Sequence, residues 1–131
     1  MVAPASKGPI RGILHSGLGN QMFEYAAAKA LAVERGCDLL IDTVTGFKDD
    51  PYGRRYELEV FRLSARRLPG PCLKAGNLWP RLLFRATREL ETAAMRRWGC
   101  YYLPSLQKAS LRCAGVVFGY WQSPRYFEKI D

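Results

Sequence analysis

The stretch His15 to Tyr25, HSGLGNQMFEY, closes an apolar run and opens an alanine-rich one. Before it, Ile10 to Ser16 (IRGILHS) is short, partly β-branched and bounded by glycine and serine, which predicts a strand entering the core. After it, Gln21 to Arg35 is built of strong helix formers. Met22, Phe23, Tyr25, Leu31 and Val33 supply apolar surface, and Glu24, Lys29, Glu34 and Arg35 form a narrow polar strip. Gly36 supplies a C-terminal stop. Asp38 to Asp42 (DLLID) reads as a second buried strand. Strand, tight loop, helix and strand make a βαβ unit, whose crossover should be right-handed with parallel strands. The fold class is therefore α/β with a Rossmann-like parallel βαβ core, and any site belongs beyond the C-terminal ends of the strands.

Composition fits that class. The 131 residues suit one domain, and with 48% apolar and 24% charged residues the chain should fold as a globular protein. No run of eighteen apolar residues and no signal-like N-terminus is present, so a cytoplasmic protein, at most peripheral to a membrane, is expected. Cys37, Cys72, Cys100 and Cys113 form no CxxC pair and there is one histidine. A zinc site is not expected, and the cysteines read as reduced, mostly buried thiols. The net charge of +8 admits nucleic acid, an anionic membrane surface or a phosphate-bearing ligand. No nucleic-acid motif accompanies it, so no nucleic-acid partner is expected.

Further along, Thr43 to Arg55 reads as a mobile surface loop and Tyr56 to Phe61 as a half-exposed strand or extended arm. Leu68 to Pro80 reads as a connector without regular structure. Arg81 to Trp98 is a predicted helix with Leu83, Leu90, Ala94 and Trp98 on its apolar side. Arginines beside that stripe suit an anionic membrane, although Glu89 and Glu91 interrupt the basic face. Val116 to Tyr120 is a predicted buried strand. Ser123 and Pro124 can cap and start a helix running to Ile130, and a chain stopping there reads as an incomplete lobe.

The glycine loop itself meets the GxGxxG dinucleotide fingerprint only in part. Asp42 stands where a ribose-binding acid would, but Met22 occupies the third glycine position, where its bulk should hold helix from strand. The chemistry still favours an anion: small residues let the backbone turn and approach a ligand, and a helix N-terminus offers its N–H groups and dipole. Asn20 and Gln21 add amides suited to sugar or phosphate oxygens, while Asn20 serves equally as an N-cap.

SGLGNQMFEYAAAKALA resembles the N-terminal signature of the α-1,2-fucosyltransferase family, glycosyltransferase family 11. GYWQSPRYFEKI, Gly119 to Ile130, resembles that family's second block. Arg55-Tyr56-Glu57-Leu58 with Phe61 resembles a short arm between the two. The resemblance implies residues 1–131 as the N-terminal lobe of a GT-B-like, inverting enzyme that moves L-fucose from GDP-fucose to a terminal galactoside of a glycan and needs no metal. It places Gly17, Gly19, Asn20 and Gln21 near the donor and Tyr120, Trp121, Gln122 and Ser123 at the cleft. The alternative for that second group is that Tyr120 and Trp121 are core and Gln122-Ser123 a cap.

Departures from the family are equally legible. The basic HxRRGDY block whose arginines grip the donor diphosphate is not among these residues, so the chain alone is expected to be inactive, as a truncated or degenerate product. Glu24 stands where glutamine is usual. His15 reads as a strand-end residue in preference to a base. Asp42, Asp49 and Asp50 are the nearest carboxylates available as a base, each with a plain reading as strand-end or turn chemistry, so the catalytic residue stays unassigned. A dinucleotide-binding Rossmann domain and a basic nucleic-acid or membrane-surface module remain as alternatives.

Overall fold

A computed structural model describes residues 8–73, 78–99, 102 and 115–128, of which 79, 80 and 83 by backbone alone. Four strands, β1 (Ile10–His15), β2 (Leu39–Gly46), β3 (Arg66–Arg67) and β4 (Val116–Val117), form one sheet in the order β3-β2-β1-β4, every pairing parallel. Two long helices accompany it, α1 (Leu18–Arg35) and α2 (Leu78–Trp98). The architecture is α/β and Rossmann-like, with β1-α1-β2 as the expected parallel unit.

The approach of α1 to the sheet is set by small residues. A Cβ added at Gly12 on β1 would stand 3.0 Å from the Ala28 Cβ on α1. The core closes around that contact with Ile10, Leu14, Ala27, Leu31, Leu39 and Ile41. Met22 does not hold helix from strand as its position suggested: it is 48% exposed. The helix begins at Leu18, three residues earlier than expected, and its inward face is Gln21, Glu24, Ala27, Ala28, Leu31 and Ala32. Glu24 therefore lies inside and not on a polar strip, whereas Val33 is exposed. Gly36 ends the helix as expected, in the left-handed region with its N–H on the carbonyls of Ala32 and Val33.

β2 runs four residues into the segment read as a loop. Its register against β1 jumps from Ile13↔Asp42 to His15↔Gly46, and Asp42 holds the resulting bulge. The carboxylate accepts from Val44 N at 2.8 Å, Thr45 N at 2.9 Å, Thr45 Oγ1 at 2.5 Å and Cys72 N at 2.8 Å. Gly46 then passes so close to β1 that a Cβ would stand 2.1 Å from the Leu14 carbonyl oxygen, a place where no side chain fits.

Other expectations shift similarly. Tyr56 to Phe61 is no strand: Leu58–Val60 forms a 3₁₀ turn that drives Leu58 into the core. The connector from Leu68 gives way to α2 at Leu78. On α2 the inward residues are Thr87, Glu91 and Ala94. Leu90 and Trp98 are exposed, the reverse of the expected apolar side apart from Ala94, and the Leu83 side chain lies outside the described residues. β4 stops at Val117 because the chain bends at Gly119, which packs on the Trp121 ring. Beyond Ser123 a 3₁₀ turn, Pro124–Tyr126, replaces the expected helix, while the cap holds, with Ser123 Oγ accepting from Arg125 N. Ile130 lies outside the described residues. Cys37 and Cys72 are free and half-buried; Cys100 and Cys113 lie outside the described residues. Among the described residues no helix is long and apolar enough to cross a membrane.

Candidate functional site

The parallel sheet directs the C-terminal ends of β1, β2 and β4 to one rim, where an open α/β sheet binds its ligands. Two adjoining cavities lie along it. One of about 320 Å³ is lined by His15, Ser16, Thr45, Gly46, Arg54, Arg81 and Phe84 among others. A second of about 240 Å³ is lined by Arg88, Glu91, Thr92, Tyr120 and Gln122. Arg88 and Tyr120 border both, so the cavities form one groove.

The first turn of α1 ties the groove together. Gln21 is fully buried: its Nε2 donates to the carbonyls of Ser16 and Arg55, both at 2.9 Å, and its Oε1 accepts from Glu57 N at 3.0 Å. That amide is spent on holding the Arg55–Glu57 arm. Beside it, Gln122 Nε2 donates to Asn20 Oδ1, across a sequence separation of 102 residues. The three blocks singled out in the sequence thus meet at one helix end. Gly17 is the N-cap residue with ordinary extended dihedrals, Gly19 is helical, and a Cβ at either would meet nothing within 4 Å. The tight turn falls instead on Ser16, at φ 64°, and a second non-glycine, Trp121, stands at φ 50°. Such conformations cost of order 1–3 kcal/mol and persist where surrounding structure enforces them.

Of the four cleft candidates the structure separates two pairs. Tyr120 and Gln122 line the groove, whereas Trp121 is buried in the core and Ser123 is a cap.

The ionisable groups under the groove are unusual. His15 is buried between Phe84, Phe118 and Tyr120, its ring meeting each edge-on at centroid distances of 5.1, 5.5 and 4.7 Å. Burial and then the nearby Arg54 charge lower its pKa to about 4, so the ring is neutral at neutral pH. Glu24 faces it: Oε2 accepts from His15 N at 2.8 Å and Oε1 stands 3.0 Å from Nδ1. Burial, opposed by that backbone N–H and reinforced by Glu91, holds the Glu24 carboxyl well above the usual carboxylate range. That Oε1 completes no hydrogen bond among the described residues, and His15 Nδ1 has Ser16 Oγ at 3.0 Å. Glu91 on α2 is 2% exposed; burial pushes its pKa up to about 7, partly offset by a hydrogen bond from Trp121 N. Its Oε1 has no hydrogen-bond partner among the described residues.

Two of the candidate carboxylates, Asp42 and Asp50, have structural parts. Burial alone would raise Asp42, but its four hydrogen bonds prevail and hold it below the ordinary range. Asp50 accepts from Tyr52 N at 2.8 Å and from Arg54 Nε at 2.9 Å, organising the turn that presents Arg54. Asp49 borders the larger cavity. Sequence reading missed Arg81, Phe84, Arg88 and Glu91. Their spacing of three, four and three residues is the one signal that would have found them, as one stripe of a helix.

No protein-family model matches this chain, and no solved structure does. Over 116 residues the chain is 27% identical to an alpha-1,2-colitosyltransferase of Escherichia coli, an alignment covering 87% of this chain and 39% of that protein. The chain thus spans about two fifths of the relative it matches. It is a Rossmann-like α/β chain that is similar, over most of its own length, to a glycosyltransferase.

Proposed function

We propose that this chain forms one lobe of a glycosyltransferase that moves L-fucose from GDP-fucose to a terminal galactoside. The observation that carries the reading is the convergence of three sequence blocks on the first turn of α1, through Gln21 with Arg55 and Glu57 and through Asn20 with Gln122. The similarity to a colitosyltransferase supports the reaction class. Colitose is L-fucose without its 3-hydroxyl, so the two transferred sugars differ by one group.

In this reading the donor diphosphate faces Gly17, Gly19 and the open N–H groups of the first turn, where no acidic side chain opposes it. Arg54, Arg81 and Arg88 around the groove add positive charge for a nucleoside-diphosphate leaving group. Gln21 acts by holding the arm and not by touching the donor. The transfer requires no metal in this reading, and the stronger diphosphate grip of an HxRRGDY block is assigned to residues other than these 131. A dinucleotide-binding reading fares worse, because the acid it needs for a ribose, Asp42, has its carboxylate committed to four internal hydrogen bonds.

Calorimetry of the chain with GDP-fucose, GDP-colitose and NAD tests the proposal. Saturable heat with either GDP-sugar and none with NAD is expected, along with no multiple-turnover product when a galactoside is added. Preference for NAD would overturn the reading. Multiple-turnover fucosyl product would overturn only its claim that the chain is inactive alone.

A further inference from the structure

The smaller cavity holds a feature that neither the fold nor the donor chemistry uses. Glu91 sits in the interior of α2's packing face with a carboxylate oxygen that no described group satisfies. Buried polar atoms are almost always paired, so an unpaired one beside a cavity asks for a ligand group to complete it. Three further observations point into the same space. Arg88 and Gln122 border it with planar polar groups, Tyr120 offers an aromatic ring, and Trp121 adopts its costly positive φ in the segment that delivers its N–H to Glu91. At about 240 Å³ the cavity falls below the roughly 300–1,000 Å³ of pockets for drug-sized ligands, and so suits one ring and not a nucleotide sugar.

Resting on the function proposed above, we infer that Arg88, Glu91, Tyr120 and Gln122 form a subsite for a single hexose ring, in which the unpaired Glu91 oxygen accepts a hydrogen bond from a sugar hydroxyl. The chemistry is that of sugar recognition: a carboxylate accepts, a guanidinium donates, an amide does both and an aromatic ring covers an apolar sugar face. The subsite lies beside Asn20 through its bond to Gln122, which places the hexose next to the donor glycines and makes it the seat of the acceptor galactoside.

The charges facing Glu91 set a pH signature. Burial opposes its ionisation, Trp121 N on the segment after β4 favours it, Glu24 on α1 is the neighbouring carboxyl, and Arg88 shares its cavity. Ionisation near neutrality turns the carboxyl into a pure acceptor, so affinity for the sugar should rise from pH 6 to pH 8.

The test is titration of the ¹⁵N-labelled chain with methyl β-D-galactoside, following backbone signals by NMR, with GDP-fucose titrated separately. Shifts at Trp121 and Gln122, about tenfold weaker affinity in Glu91→Gln and in Gln122→Ala, and loss of the pH dependence in Glu91→Gln are expected. Leu82→Ala, on the exposed side of α2, should change nothing and serves as the control. Retained GDP-fucose binding with a galactoside that neither shifts these signals nor weakens in Glu91→Gln overturns the subsite alone. If neither ligand binds, the proposed function fails and the subsite with it.

Discussion

Each long helix hides one glutamate, and the two are handled differently. On α1, one Glu24 oxygen accepts from His15 N and the other stands 3.0 Å from His15 Nδ1 without a hydrogen bond, away from either cavity. Glu91 on α2 is held by one backbone N–H and keeps an oxygen unpaired. Around Glu24 the helix buries alanines and a leucine against β1; around Glu91 it buries Thr87 and Ala94 and exposes Leu78, Leu82 and Leu90. An unpaired oxygen enclosed against a buried ring belongs to the packing, whereas one beside a cavity has room for a ligand group. α1 is thus the structural helix whose tip reaches the site, and α2 is a wall of the groove.

The largest test of that division is truncation on each helix. Leu31→Ala removes a buried side chain from the α1 core cluster and should cost about 2–5 kcal/mol. Leu82→Ala, at a side chain 54% exposed, should stay within about 0.5 kcal/mol. Urea denaturation measures both. Equal losses would mean that the outer side of α2 is packed and that the comparison is mistaken.

Next comes the pH dependence of stability in Glu24→Gln and Glu91→Gln. Both carboxyls have folded pKa values above the ordinary glutamate value of 4.5, so between that value and the folded one the native state binds more protons than the unfolded state. Stability is then fully present below pH 4.5 and falls as pH rises, for Glu91 up to about pH 7. Glu91→Gln removes that loss and should raise stability at pH 8, by on the order of 2 kcal/mol, with little gain at pH 4. Glu24→Gln should also flatten the pH profile, and because burial holds the Glu24 carboxyl well above the ordinary range, its gain at pH 8 should be at least as large. An unchanged pH profile in either variant would show that its carboxyl is ionised in the folded chain as in the unfolded one.

These glutamates also show how far the amino-acid pattern reaches. The β1-α1-β2 unit was legible because glycine punctuation, alanine-rich helix and short apolar strands agree, and so were Gly36 as a stop and Ser123 as a cap. The inner faces of the helices were not legible. A charged residue reads as a solvent-facing one, and what permits Glu24 and Glu91 to turn inward is His15 for the first and Trp121 N for the second, contacts that no periodicity announces. The extension of β2 to Gly46 was hidden in the same way, because Asp42 turns an apparent loop into a bulge by gathering Val44, Thr45 and Cys72. At the candidate site the three blocks were visible as separate pieces. Their contact through Gln21 and Asn20 belongs to the folded chain, and so does the demotion of Trp121 and Ser123 to core and cap.

The smallest expected change in stability is the sharpest on function. Glycine at 17 and 19 looked like a requirement of the turn, yet neither position has positive φ and neither Cβ would touch anything. Gly19→Ala lies within the first turn of α1, where alanine is the better helix former, and should stabilise by about 0.5–1 kcal/mol. Gly17→Ala at the N-cap should cost little, since the glycine there uses no side-chain cap that alanine would remove. If these glycines leave room for a donor, both variants should nevertheless lose most of their GDP-fucose heat in calorimetry, because a methyl group then occupies the space of the diphosphate. A protein made more stable and less able to bind would locate the function at the tip of the structural helix. Unchanged binding in both variants would move the donor away from α1 and leave the groove beside α2 as the whole of the site.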